Sequence, residues 1–290
     1  MLIERLAVIG LGLIGGSLAR ALRSQNAVGR ISGFDTNPRQ RSLALELGIV
    51  DHATDTAADA VRDADIVVLA VPVLHTAEAL RSCLPALKVN VVVTDVGSTK
   101  QSVLADVMAA CGGSVPPWFV AGHPIAGTEK SGVANAQADL FKGHRVILTP
   151  HLHQNPAARQ TICDMWSRCG ARVVDMPPAQ HDTIFAATSH LPHVLAYSFV
   201  DMLSRLDKDG EIFPNAGGGF RDFTRIASSS PEMWHDVVRA NRAPVMELLE
   251  QQIGELNAIL ILMKSGQWDE VKQLFERARA ARERYLAQIE

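Results

Sequence analysis

His123 stands directly before a proline at the end of an apolar run, and an imidazole held there is suited to taking and returning a proton. Ser98 lies in the turn Asp95-Val96-Gly97-Ser98-Thr99-Lys100 after another apolar run, where its hydroxyl either caps a helix or is presented to a ligand. Arg225 closes the stretch Gly217-Gly218-Gly219-Phe220-Arg221-Asp222-Phe223-Thr224-Arg225. Its guanidinium is either a fork for a carboxylate or the partner of nearby Asp222. The triple glycine is better suited to close approach of backbone to a ligand or helix than to a linker. His190 and His193 are spaced i, i+3, but no H-E-x-x-H pattern or carboxylate at ligand spacing accompanies them, so no metal is expected. His151 and His153 read as exposed loop residues.

A second constellation binds rather than reacts. Gly10-Leu11-Gly12-Leu13-Ile14-Gly15 fits G-x-G-x-x-G directly between an apolar strand and a helix. Gly10 permits the tight turn, Gly12 lets backbone approach a pyrophosphate, and Gly15 allows close helix–strand packing. The amides of the turn, Leu13 and Ile14 included, face the phosphates at the helix N-terminus. Asp35 ends the next strand 20 residues after Gly15, where its carboxylate can accept from a ribose 2′-hydroxyl and repel a 2′-phosphate. NAD is therefore favoured, with NADP still possible because Arg39 and Arg41 are near. Val71 and Pro72, at the end of a later strand, are expected on the nicotinamide side. A flavin or a nucleotide sensor on the same fold is the alternative.

These residues must be held by a sheet. Strands are expected at 6–10, 31–35, 66–71, 91–95, 119–122, 145–148 and 172–175, alternating with helices at 17–24, 38–47, 74–83 and 101–111, the pattern of βαβ units around a mostly parallel sheet. Strand signals stop after Pro177-Pro178. The expected architecture is α/β: a Rossmann-type dinucleotide-binding domain over 1–176 and an all-α domain over 177–290. Ser230-Pro231 starts a helix of about thirty residues running to Met263. Its apolar set, Val238, Val245, Leu248, Leu249, Ile253, Leu256, Ile259, Leu260, Ile261, Leu262 and Met263, covers more than one face, which suits packing on its own domain and on a second subunit. The charged segment 268–289 reads as a further helix.

Composition narrows the class. With 28 Lys+Arg against 31 Asp+Glu there is no broad basic footprint, which excludes a dedicated nucleic-acid binder. No apolar run is long enough to span a bilayer. Residues 5–19 imitate a secretory leader, but Glu4 cancels the positive start and the glycines have a chemical reason. Four cysteines without a C-x-x-C pair read as free thiols of a cytoplasmic protein.

Taken in order, G-x-G-x-x-G, Asp95-x-Gly97-Ser98-x-Lys100, His123-Pro124-Ile125-Ala126-Gly127-Thr128-Glu129-Lys130-Ser131-Gly132, Ser189-His190-Leu191-Pro192-His193 and Gly217-Gly218-Gly219-Phe220-x-Asp222-Phe223-Thr224-Arg225-Ile226-Ala227 resemble the prephenate/arogenate dehydrogenase family of tyrosine biosynthesis. The resemblance spans nearly the whole chain. It implies NAD-dependent oxidative decarboxylation of prephenate, or of arogenate. It implies His123 as base or hydrogen-bond acceptor for the ring C4 hydroxyl, and Ser98 as the group orienting that hydroxyl and His123. Arg225 and His193 are then holders of the substrate carboxylates, helped by Thr128, Glu129 and Gly218, with Ser229 and Trp234 nearby. It further implies a homodimer through the C-terminal helices, with no mutase segment ahead of residue 1 and no regulatory domain after the last helix. The competing readings are a β-hydroxyacid dehydrogenase, which would need a catalytic lysine where the glycine run leads instead to Arg225, and a non-catalytic NAD sensor, which would need neither His123 nor Arg225.

Overall fold

A computed structural model describes residues 2–289. The chain divides into two compact units, Met1–Arg242 and Ala243–Glu290.

In the first unit the strands are β1 (Ile3–Ile9), β2 (Val28–Phe34), β3 (His52–Ala53), β4 (Ile66–Leu69), β5 (Val92–Asp95), β6 (Phe119–Val120), β7 (Gly122–Pro124), β8 (Arg145–Leu148) and β9 (Arg172–Asp175). The helices between them are α1 (Leu13–Ser24), α2 (Pro38–Glu46), α3 (Ala57–Val61), α4 (Thr76–Cys83), α5 (Gln101–Ala110) and α6 (Pro156–Arg168). Then follow α7 (Pro178–Phe185), α8 (Leu191–Leu206), α9 (Gly218–Thr224) and α10 (Pro231–Ala240).

Six strands form an all-parallel sheet in the order β3-β2-β1-β4-β5-β6. Buried on both faces, β4 reads as an unbroken run, Ile-Val-Val-Leu, with every residue buried. One face packs on Leu18, Leu22, Phe141 and Trp166, the other on Leu80, Val103 and Val107. The order reverses between β1 and β4, and ligands of such sheets sit in the crevice at the carboxyl ends of those two strands.

The structure adds β3, α3 and α6 to the expected elements and starts β1, β2 and α1 earlier, and two further differences change the topology. The run 119–122 is not one strand: the ladder breaks at Ala121, β6 closes the large sheet, and β7 opens a second, three-stranded sheet in the order β7-β8-β9, with β7 antiparallel to β8. His123 therefore lies inside a strand, opposite Ile147, rather than beyond a strand end. Gly122 allows the switch, since a Cβ there would meet the Asp95 carbonyl oxygen at 3.2 Å. The single helix expected from residue 231 to 263 is also two helices, α10 and α11 (Arg242–Lys264), separated at Asn241. Pro244 explains the break, for it has no N–H to give the carbonyl of Ala240 and its ring crowds that carbonyl.

The second unit consists of most of α11 and of α12 (Trp268–Ile289), joined by a turn with Gly266 at φ +71°. Its apolar residues are largely uncovered: Ile253, Leu256, Leu260, Ile261 and Met263 on α11 and Trp268, Phe275 and Tyr285 on α12 are all exposed. No helix among the described residues is long and apolar enough to cross a membrane. All four cysteines are free thiols.

Candidate active site

The glycine turn sits at the reversal point of the sheet. Gly10 adopts φ +100°, and a Cβ on it would lie 2.3 Å from the Ala70 carbonyl oxygen at the end of β4, so only glycine fits. Gly15 is equally confined, 2.2 Å from the Gly10 carbonyl oxygen and 2.8 Å from Val8. Gly12 is different: no heavy atom lies within 4 Å of its Cβ position, leaving a cradle over the start of α1. Both oxygens of Asp35 are engaged on one side, Oδ2 accepting from the Leu11 amide and Oδ1 from the Asn37 amide, each at 2.8 Å. Each oxygen keeps a lone pair for a ribose hydroxyl. Val71 is half-buried and Pro72 exposed, directly after Ala70 against which Gly10 packs. These residues fit a dinucleotide. Gly12→Ala should cost under about 1 kcal/mol of stability and raise the NAD dissociation constant roughly tenfold or more, as read by thermal melting and by titration calorimetry on the same variant.

The Ser98 turn is tied to the His123 strand by a buried ion pair. Lys100 Nζ donates to Asp95 Oδ2 at 2.5 Å and to the Gly122 carbonyl oxygen at 2.6 Å, while Asp95 Oδ1 accepts from the Gly122 amide at 3.0 Å. Burial pulls the Lys100 pKa down against the opposing pull of Asp95. Two of the ammonium's three donors are directed at acceptors, the Asp95 carboxylate and the Gly122 carbonyl, and this offsets part of the cost of burying the pair. Ser98 itself is half-buried in the same turn.

Behind His123 stands a chain of polar groups that the sequence did not flag. His123 Nδ1 is 2.9 Å from His181 Nε2, and His181 Nδ1 is 2.8 Å from Asp182 Oδ1. Asp182 also accepts from the amides of Lys100 and Gln101, at 2.7 and 2.9 Å. Phe185 packs against both rings, its centroid 5.0 Å from His123 and 4.5 Å from His181. Burial would raise the Asp182 carboxyl, but the hydrogen bonds from His181 and the two amides outweigh it and hold the group ionised. Burial pushes His123 well below the ordinary histidine value, and the charges of His181, Lys100 and His190 push the same way.

A π-helical turn, Ala186–His190, leads into α8 and sets the remaining histidines. His190 is buried; Asn241 Nδ2 donates to its Nδ1 at 2.9 Å and to the Asp182 carbonyl oxygen at 2.8 Å. Burial lowers His190 to about 4. His193 Nδ1 donates to the Ser189 carbonyl oxygen at 2.8 Å, and its ring stacks on Trp234 with centroids 3.3 Å apart. Burial lowers its pKa too, and the Arg225 charge adds to the effect, which puts Arg225 in its neighbourhood. Arg225 is exposed and 3.6 Å from Glu129, not paired with Asp222. Thr128 and Gly218 are exposed, and Ser229 accepts from the Tyr197 hydroxyl through its carbonyl at 2.6 Å. Gly217, Gly218 and Gly219 have open space at every Cβ position, so no protein group requires them to be glycine. His153 is exposed as expected, whereas His151 is half-buried with Nε2 3.1 Å from the Phe119 carbonyl oxygen. No cluster of residues suited to a metal ion occurs among the described residues.

No motif or spacing in the sequence marks out His181, Asp182 or Asn241. The only local signal was the pair His181-Asp182 in the first turns after Pro177-Pro178, which looks like an ordinary surface helix start.

A parallel sheet in this order, with a glycine cradle at its reversal point and neutral buried histidines around a strand residue, defines an oxidoreductase of the dinucleotide-dependent class. The family model described as the prephenate dehydrogenase nucleotide-binding domain matches residues 18–175, and that described as the prephenate dehydrogenase dimerization domain matches residues 177–277. The chain belongs to the prephenate dehydrogenase family. It is 37% identical over 281 residues to a cyclohexadienyl dehydrogenase of Zymomonas mobilis, covering 96% of this chain and 95% of that one. It is 34% identical over 284 residues to a prephenate dehydrogenase of Bacillus subtilis, covering 97% of this chain and 76% of the relative. Among solved structures, the prephenate dehydrogenase of Aquifex aeolicus in complex with hydroxyphenyl propionate and NAD+ superposes with a TM-score of 0.89 at 35% identity, covering 96% of this chain and 97% of that one.

Proposed function

We propose that the chain catalyses the NAD-dependent oxidative decarboxylation of prephenate to 4-hydroxyphenylpyruvate, and accepts arogenate as a second substrate. The observation that carries the reading is similarity over nearly the full length to enzymes named for prephenate and cyclohexadienyl substrates. Bound NAD supplies the acceptor for the hydride that leaves ring carbon C4. His123, neutral and with a lone pair free, accepts the C4 hydroxyl proton, while Ser98 orients that hydroxyl. Loss of proton and hydride makes C4 a carbonyl conjugated through the ring diene. The bond from C1 to its carboxylate then breaks, CO₂ leaves, and the electron pair flows through the aromatising ring to the oxygen, which regains its proton from His123.

Arg225 and His193 hold the carboxylates, with Thr128, Glu129 and Gly218 around them. Glu129 competes with a substrate carboxylate for Arg225 and so is displaced when substrate binds. His193, whose Nδ1 donates to Ser189, is held neutral by burial in the free chain, and a substrate carboxylate arriving at its Nε2 draws a proton onto that nitrogen as it binds. Incubating the purified chain with NAD and either substrate, and following NADH by absorbance, tests the reading; NAD binding without NADH from either substrate would leave it standing only as a sensor.

In this proposal residues 1–176 hold the cofactor, and residues 177–290 complete the substrate site and join two copies in a cytoplasmic homodimer. The exposed apolar residues of α11 and α12 support a second copy as their cover, since a surface patch of this kind on a soluble chain marks an interface. Analytical ultracentrifugation should give twice the 31.3 kDa chain mass, and Leu256→Glu together with Leu260→Glu should shift the species toward one copy.

The histidine environments give the pH dependence its sign. His123 is neutral until well below the ordinary value, so kcat/KM should hold from neutrality down past pH ~6.5 before its acid limb begins. The unfolded chain takes up protons at pH ~6.5 while the buried rings still resist them. Stability contributed by the neutral rings is thus full above that pH and declines as the pH falls toward about 4, where His190 titrates in the folded chain.

A further inference from the structure

A proton acceptor must present a bare nitrogen to its substrate, and the groups behind the ring decide which nitrogen that is. Asp182 is ionised and can only accept, so His181 carries its proton on Nδ1 and its lone pair on Nε2. That lone pair faces His123 Nδ1 at 2.9 Å, so Nδ1 of His123 donates, and its Nε2 is the bare nitrogen. Each step of this chain is enforced by burial, His181 being 0% and Asp182 2% exposed, where an unpaired donor or acceptor is costly. The same carboxylate accepts the amides of Lys100 and Gln101, which close the turn carrying Ser98 and start α5.

We propose that Asp182, acting through His181, is the positioning residue that fixes the tautomer and aim of His123, and that its one carboxylate holds the His123 ring and the Ser98 turn in register. The proposal rests on the reading of His123 as the proton acceptor given above. When His123 takes the proton, the positive charge on its ring lies one imidazole away from the Asp182 carboxylate, so the polarity of the chain suits the protonated intermediate as well as the starting tautomer. The arrangement differs from a carboxylate–histidine pair by the interposed ring. His181 transmits orientation without itself touching the substrate.

The test compares three variants by kinetics and by nitrogen NMR of protein labelled with 15N-histidine, with thermal melting as a check on folding. In the wild type His123 should show a pyrrole-type Nδ1 and a pyridine-type Nε2. His181→Leu removes the acceptor for Nδ1 and should lower kcat roughly 10²-fold with KM for prephenate changed little, while the two His123 nitrogens move to averaged shifts of mixed tautomers. His181→Gln offers a side-chain oxygen to Nδ1 and should restore the wild-type pattern and at least about tenfold of the lost kcat. Asp182→Asn should resemble His181→Leu in both readouts; if it does not fold, the His181 pair decides. Unchanged His123 shifts in His181→Leu, or a kcat loss that Gln does not relieve, overturn the proposal. Absence of NADH from the wild-type chain instead overturns the assigned reaction, and the nitrogen spectra, recorded without turnover, still answer the tautomer question.

Discussion

His123→Asn should lower kcat by roughly 10²–10⁴-fold while leaving KM for prephenate within a few-fold. Asparagine is short enough for the site and its carbonyl oxygen can still accept from a C4 hydroxyl, so the ground-state contact survives. What it cannot do is take the proton away as the hydride departs, and the cost falls on the step rather than on binding. The packing of Phe185 and of His181 against the His123 ring would lose contact area, which argues for a modest loss of stability as well. Steady-state kinetics at saturating NAD, with single-turnover rates to isolate chemistry, provide the measurement. A variant with near-wild-type kcat would move the proton to another group, and Ser98 would be the next residue to replace.

Arg225→Ala should act in the opposite manner, raising KM for prephenate about 10²-fold, equivalent to ~2.7 kcal/mol, with kcat reduced much less. In the free chain the guanidinium is 63% exposed and meets Glu129 at 3.6 Å, an arrangement worth little by itself. Its value arises when a carboxylate replaces water around it, as a charge-assisted, two-pronged contact. Loss of the arginine also leaves Glu129 facing the substrate without compensation, so Arg225→Ala with Glu129→Gln should bind more tightly than Arg225→Ala alone. Substrate titrations at fixed NAD distinguish these outcomes. An unchanged KM in Arg225→Ala would remove the residue from the substrate site.

Much of this was legible before any coordinates, and the reasons are local. The glycine turn, Asp35 and β4 announce themselves because each obeys a short-range rule: a spacing, a strand-to-helix position, an unbroken apolar run. The strands β8 and β9 fall at the expected residues for the same reason. What escaped depends on partners far apart in the chain. Asp182 meets Lys100 and Gln101 across more than 80 positions, and Asn241 meets His190 and Asp182 across 51 and 59. No periodicity in either segment could show it. The division at Ala121 was hidden because β6 and β7 are two and three residues long and separated by a single residue, below the length at which alternation becomes readable. The break at Asn241 was visible in principle through Pro244, but the apolar stripe continues across it and obscured the stop.

Asp35 carries two duties at once, and this constrains attempts to retarget the cofactor. The same carboxylate that would select a ribose hydroxyl also pins the Leu11 amide in the middle of the glycine turn. Exchanging it for a small neutral residue to admit a 2′-phosphate would release that amide and slacken the turn that must receive the pyrophosphate. A change of coenzyme preference in this chain therefore calls for a replacement that still accepts a hydrogen bond at that spot, with the positive charge for a 2′-phosphate drawn from Arg39 and Arg41, which already stand nearby, Arg41 donating to the Asp35 carbonyl oxygen at 2.8 Å.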